Sequence, residues 1–458
     1  MKSIEEKLAS RLASTNLDSE QAQRVADILD SLSSLIDVAE ISSEGDSRED
    51  FEPVDRVLDE LRAIHRNNPD RAMPKALLAG ALALSIGGTR RDFEKTDGFL
   101  DELRGLYRGD PVSEGMEESF ATGLMFAIRG AGKDSERVDR LLEELRALHR
   151  GSSDPEPLHK YLAIALGAAM GDSGRDSERV DHFLDELRAL DRVSSADREI
   201  VRIFVAAGLL HAIRLAEKDS GRAVILLDEL RALYRENPED GSILRSLLRG
   251  LGAFFVIGAP NPQETDRILA ELWSLGEAHR DDVVVAEAVG QALLEGIFAS
   301  QGNWKQANRF LNRLQMLQER HSEHEYLPGD LAEALLHVFR ASEKNWKRAM
   351  PLLNRFQKLQ EAYPDDEYVR AIFAETLLDG LVASKRNLRR LRGFLSRLRR
   401  LQRTYPRDAV VLGIFADALL QGVEAAHRDL RRAMAFWKEL GQLHDIYPDE
   451  DDVQSAFG

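Results

Sequence analysis

Residues able to do chemistry are few in this chain. His321 and His324, in "RHSEHEY", stand close enough in sequence to share a metal ion, and the carboxylates of Glu295, Glu333, Glu375, Asp379 and Asp417 could supply general acid–base pairs. The histidines, however, fall where a helical segment ends, a place where histidine commonly offsets the helix dipole. The carboxylates keep a fixed spacing, with Glu333, Glu375 and Asp417 each 42 residues apart, which is the habit of a binding stripe. No stretch matches a phosphate loop, a dinucleotide fingerprint, a nucleophile elbow or "HExxH". Gly250 and Gly252 in "RGLGAFFVIG" suit close helix packing better than a phosphate cradle. With no cysteine, disulfides, thiolate nucleophiles and cysteine-based metal centres are excluded. The expectation is a protein without catalysis, cofactor or metal.

Charge is more telling. "LRRLRGFLSRLRRLQRTYPR" (388–407) holds eight arginines and no acid inside a chain of 458 residues whose formal net charge is −17. Stepping back from Leu395 by 42 residues meets Leu353, Leu311 and Leu269. A further 42 residues back lies Leu227, which is reached from Leu184 by the one 43-residue step; the 42 spacing resumes at Leu142, Leu100 and Leu58, and Trp437 holds the place forward of Leu395. Nineteen residues before each of the last nine anchors stands a small residue (Ala81, Gly123, Ala165, Gly208, Gly250, Ala292, Ala334, Thr376, Ala418), always followed by Leu. Eleven after the anchor a proline recurs at Pro69, Pro111, Pro238, Pro364, Pro406 and Pro448, as a helix stop.

Each copy is helical twice over. In copy nine, Phe373, Leu377, Gly380 and Leu381 share one helical face, and Leu391, Phe394, Leu395, Leu398 and Leu401 share another, on the next segment. A copy is therefore a helix A of about 16–20 residues, a tight polar turn and a helix B of similar length. A single pair cannot bury its apolar face, so stacked copies build the core. The arginine run becomes helix B of copy nine, with Arg389, Arg390, Arg392, Arg397, Arg399, Arg400 and Arg403 fanned opposite its leucines. Lys344, Lys347, Arg348, Arg355 and Lys358 in copy eight, and Arg428, Arg431, Arg432 and Lys438 in copy ten, extend the basic surface. Copies one to five carry "DELR" or "EELR" after the anchor, giving Asp59–Arg62 and its equivalents as i, i+3 pairs.

Composition, 43% hydrophobic and 31% charged, fits a folded soluble protein. The start, "MKSIEEKLASRLAS", lacks the apolar core of a signal peptide, and "LLAGALALSIGG" (77–88) is far short of the ~20 residues that span a bilayer. A cytoplasmic protein with no membrane partner is expected.

In "ALLEGIFASQGNWKQANRFLNRLQMLQERH" (292–321), Ala292, the turn at Gly302 and Asn303, Trp304, Ala307 and Leu311 follow the order of the tetratricopeptide repeat family, and "NWKRA" with "YPDD" repeats the likeness. The chain resembles that family over about residues 20–450, with 42 residues per copy where the family's usual unit has 34. HEAT-like helix pairs have a similar period.

The resemblance implies an all-α, right-handed α-solenoid of ten helix-turn-helix repeats, with B helices on a convex side and A helices lining a concave groove. We expect a cap helix at 1–20, the solenoid at 21–450 (copies one to five about 21–240, six to ten about 241–450) and a tail at 451–458. Twenty and sixteen residues before the anchor, the groove would present Glu295, Glu333, Glu375, Asp379 and Asp417 in later copies, and Gly80, Leu84, Thr122, Phe126, Ile164, Ala168, Ala207 and Ala253 in earlier ones. The expected function is a non-catalytic scaffold holding a peptide or helix of a partner protein, with apolar and basic anchors, in that groove. The alternatives are a nucleic-acid-associated solenoid using the basic patch of Arg389, Arg392, Arg397, Arg399, Arg400 and Arg403, and a self-assembling array of copies of the chain.

Overall fold

The computed structural model describes residues 52–457, except 68–71, 90–91, 112–114, 217–218, 258–261, 301–302, 343–344, 386, 427–428 and 449. The expected cap at 1–20, helix A of copy one, the loop 42–50, and the charges of Lys344 and Arg428 lie outside the described residues. Those described form twenty α-helices and no strand, an all-α helical-repeat solenoid.

Two compact units divide the chain, one ending at Leu215 and the other beginning at Ala216. In the first, α1 (Glu52–Asn67) is helix B of copy one. The A and B helices of copies two to four follow as α2 (Ala72–Gly88) and α3 (Phe93–Gly109), α4 (Met116–Ala131) and α5 (Ser135–Gly151), and α6 (His159–Asp172) and α7 (Ser177–Val193). Helix A of copy five, α8 (Arg198–Leu215), closes this unit. The second opens with α9 (Ser220–Glu236), the B helix of copy five. It continues with α10 (Gly241–Ile257) and α11 (Pro262–Ala278), α12 (Val283–Ala299) and α13 (Trp304–Arg320), and α14 (Leu327–Ser342) and α15 (Trp346–Ala362). Copies nine and ten are α16 (Glu367–Ala383) with α17 (Leu388–Thr404) and α18 (Ala409–Ala425) with α19 (Leu430–Ile446). The division thus falls inside the copy reached by the 43-residue step.

Residues expected as a tail instead form α20 (Asp451–Phe457), which packs on α18 and buries Val453 completely. It takes the place that the A helix of a further copy would start from.

Punctuation is local and repeated. Eight residues before the anchor, Asp92, Asp134, Asp176, Asp219, Asn303, Asn387 and Asp429 each cap a B helix, the side chain accepting the N–H of the third helical residue. Asp366 and Asp408 cap A helices in the same way. The B helices end just before Pro111, Pro238, Pro364, Pro406 and Pro448.

The core follows the small–Leu pair. Every Leu of that pair, from Leu82 to Leu419, is at most 1% exposed, and its small neighbour is buried too. The anchors are buried as well, except Trp437, which is 45% exposed. Within each unit, neighbouring A helices pack backbone to backbone, whereas neighbouring B helices meet mainly through long side chains. The closeness is clearest at Gly252 on α10, where a Cβ would sit 2.7 Å from Ala292 Cα of α12.

Gly252→Ala is therefore expected to cost roughly 1–3 kcal/mol by overpacking. Gly393→Ala, where an added Cβ meets nothing within 4 Å, is expected to gain roughly 0.5–1 kcal/mol. Urea denaturation of the two variants checks both signs.

Candidate functional site

The B layer is bridged by charge. The residue four after one anchor meets the residue two after the next, so an arginine and a glutamate 40 apart in sequence form a forked pair. Arg62 reaches Glu102 at 2.6 Å, and Arg104, Arg146 and Arg231 reach Glu144, Glu186 and Glu271 at the same distance. Each arginine also holds the acid three residues before it (Asp59, Asp101, Glu143, Asp228), so the "DELR" run bonds within its helix and across to the next. Hydrogen bonds to Glu102 and Glu144 raise Arg62 and Arg104 above the ordinary arginine range. A second row joins Lys95 to Asp55, Arg137 to Asp97 and Arg179 to Asp139. These cross-helix pairs were not anticipated; the signal was an Arg and a Glu spaced two short of the repeat.

In the second unit the ladder changes. Trp273 occupies the slot four after its anchor, and the Arg313 guanidinium lies 4.5 Å from its ring centre. The next two junctions carry Gln315 with Arg355 and Gln357 with Arg397 in these slots, and the glutamine amides donate to Glu319 and Glu361 of their own helices, at 2.7 and 2.9 Å. Arg355 donates to Asn312 Oδ1 at 3.1 Å and to the Leu311 carbonyl, and its buried Nε finds no acceptor. Arg397 is half-buried and has no carboxylate partner among the described residues. Burial lowers the pKa of both. The acid returns at the last junction, where Arg399 grips Glu439 at 2.6 and 2.7 Å.

The arginine fan of α17 is thereby sorted. Arg399 is tied, Arg397 is sunk between helices, and Arg389, Arg392, Arg400 and Arg403 are exposed. Arg390 lies over Trp346, as Arg348 lies over Trp304.

The acids expected to line a groove are not a free row. Glu375 and Asp379 of α16 both pair with Arg340 of α14, at 2.5 and 2.6 Å. Glu333 accepts the Tyr368 hydroxyl, and hydrogen bonding to that carboxylate pushes the tyrosine up to about 12. The Glu295 carboxylate fills the space beside Gly252, and Asp417 is exposed. The expectation of five acids awaiting basic residues is corrected: three are held by the chain's own groups, which lace adjacent A helices. The earlier copies mix buried Gly80, Thr122 and Ala253 with half-buried Leu84, Phe126, Ile164 and Ala168 and exposed Ala207.

Two features of the A face went unread in the sequence. Thirteen before the anchor, Val256, Phe298 and Val382 are exposed, with Phe298 edge-on to His337 at 4.9 Å. Asp330, in the first turn of α14, is raised to about 6 by burial first and then by Glu333 and Glu287. The helix N-terminus favours the charge but does not outweigh burial.

His321 ends α13, its backbone N–H donating to the Leu317 carbonyl. Among the described residues no three of His, Asp or Glu converge to hold a metal ion, and no helix is long and apolar enough to cross a membrane.

No family model matches the chain, and no curated protein matches it. A crystal structure of an engineered protein from the Northeast Structural Genomics Consortium aligns over 99% of this chain and 97% of that one. The identity is 16% and the TM-score 0.37, a likeness that carries no argument about fold or function.

Because the folded state holds Asp330's proton up to about pH 6 while the unfolded chain releases it near 4, ionising Asp330 opposes folding as pH rises between those values. Asp330→Asn should leave stability nearly unchanged at pH 4 and raise it by about 1–2 kcal/mol at pH 7.5, after allowance for solvent screening. Thermal melts at the two pH values check this.

Proposed function

We propose that the chain is a non-catalytic protein-interaction scaffold, with the A-helix face of the second unit as the surface that holds a partner's peptide or helix. The observation that carries this reading is the exposed apolar side chains of Val256, Phe298 and Val382 at one repeat position, which Arg340 fills in copy eight, paired there with Glu375 and Asp379. A partner fitting that row brings apolar side chains at repeat spacing and faces the charged groups between them. Kinship with tetratricopeptide repeats, with its right-handed winding and concave A-helix groove, belongs to the same proposal. Its support is the alternation of A and B helices and the buried Ala307 and Leu311 behind Trp304. A cytoplasmic setting fits the absence of cysteine.

Peptide display against the immobilised full chain tests the proposal. Enriched peptides should carry paired apolar residues, and should bind the Phe298→Asp/Val382→Asp variant at least tenfold more weakly. Equal binding to that variant would defeat the reading.

A further inference from the structure

We infer that the clefts between α13, α15 and α17 form a carboxylate-recognition site for an acidic segment of a partner protein, whose side chains complete the charge ladder at Arg355 and Arg397. This goes beyond the proposed A-helix surface and lies on the other layer of the repeat.

Elsewhere within each unit, the junctions that carry an arginine and a glutamate in these two slots close them as a forked pair. At two successive junctions the slots are altered: half-buried Arg355 and Arg397 stand where the closed pairs have glutamate, and Gln315 and Gln357 stand where they have arginine, so neither junction supplies an acid. A half-buried guanidinium without its carboxylate is costly, and a carboxylate delivered there gains a forked, charge-assisted bond. Arg355 makes do with a side-chain amide oxygen and a backbone carbonyl, with the Glu319 charge near it but not bonded to it, and Arg397 has no partner among the described residues. Exposed Arg389, Arg392, Arg400 and Arg403 all stand on α17, which borders the second cleft, and would draw an acidic segment in.

Protein fits better than nucleic acid. Glu319 of α13 and Glu361 of α15 interrupt the basic surface on either side of the first cleft, and Glu439 of α19 bounds it beyond α17, so a continuous phosphate track is opposed at its margins. The two slots recur at the spacing of adjacent helices, roughly 10 Å. That separation is spanned by carboxylates seven residues apart on a helix, about 10.5 Å.

The test uses the full chain and two fluorescent helical peptides of equal composition, one with glutamates seven residues apart and one with them scrambled. The spaced peptide should bind more tightly than the scrambled one and weaken as salt rises. Arg355→Gln/Arg397→Gln should weaken it at least tenfold, and Arg389→Gln/Arg403→Gln only two- to threefold. Gln315→Glu/Gln357→Glu supplies the missing acids in cis, so it should raise the melting temperature while weakening the peptide at least tenfold; this variant separates loss of the site from loss of the fold. The Phe298→Asp/Val382→Asp variant should bind the spaced peptide as the wild type does. Undiminished binding to the glutamate-filled variant, no preference for the spaced peptide, or no binding at low salt would each overturn the inference. So would a 20-nucleotide single-stranded RNA that outbinds the peptide and is lost in the same variants, which would make the surface a nucleic-acid site.

Discussion

Close approach of neighbouring A helices is the constraint on which the rest depends. Only Gly, Ala or Thr stands at the crossing point, so the backbones draw together and the Leu beside it fills the space. With the A helices fixed at this distance, the B helices stay apart, and only long side chains reach across. Arginine and glutamate suit that gap, because a forked pair spans it while satisfying both groups. Tight A layer and charge-bridged B layer are thus two consequences of one small residue per copy.

The architecture was largely legible because each copy restates the same signals. Small–Leu pairs, helix-stop prolines and the leucine anchors all reappear in the structure as crossing points, helix ends and core. The surface was harder to read. A 100° wheel sorts Arg397 and Arg399 by angle from their own helix axis, yet what distinguishes them is the neighbour: Gln357 for one, Glu439 for the other. The groove acids misled for the same reason. Repeat spacing shows that Glu375 and Asp379 share a face, but Arg340, in the preceding A helix, decides whether they are open. Asp330 lies outside the two groove positions, and its carboxylate sits against Gly290 of the adjacent α12, which the spacing within its own helix does not reveal. At the last copy, Trp437 shows what an anchor looks like when it is not fully covered.

Charge balance within the repeat explains how a chain of net charge −17 keeps a basic surface. Acids of the A layer and of the first unit's B helices are largely consumed in lateral pairs. Near α15 and α17 the lateral acids give way to Arg355 and Arg397, and the arginines opposite them to Gln315 and Gln357, so positive charge accumulates there unpaired without any global excess.

The charge ladder of the B layer is closed at one junction and open at another. Double-mutant cycles measure this directly, one on Arg104 and Glu144, the other on Arg355 and Gln315, each residue replaced by Ala and stability read from urea melts. The account predicts a coupling of about 1 kcal/mol for the first pair and none resolvable for the second. Equal couplings, or a larger one for Arg355 with Gln315, would contradict it.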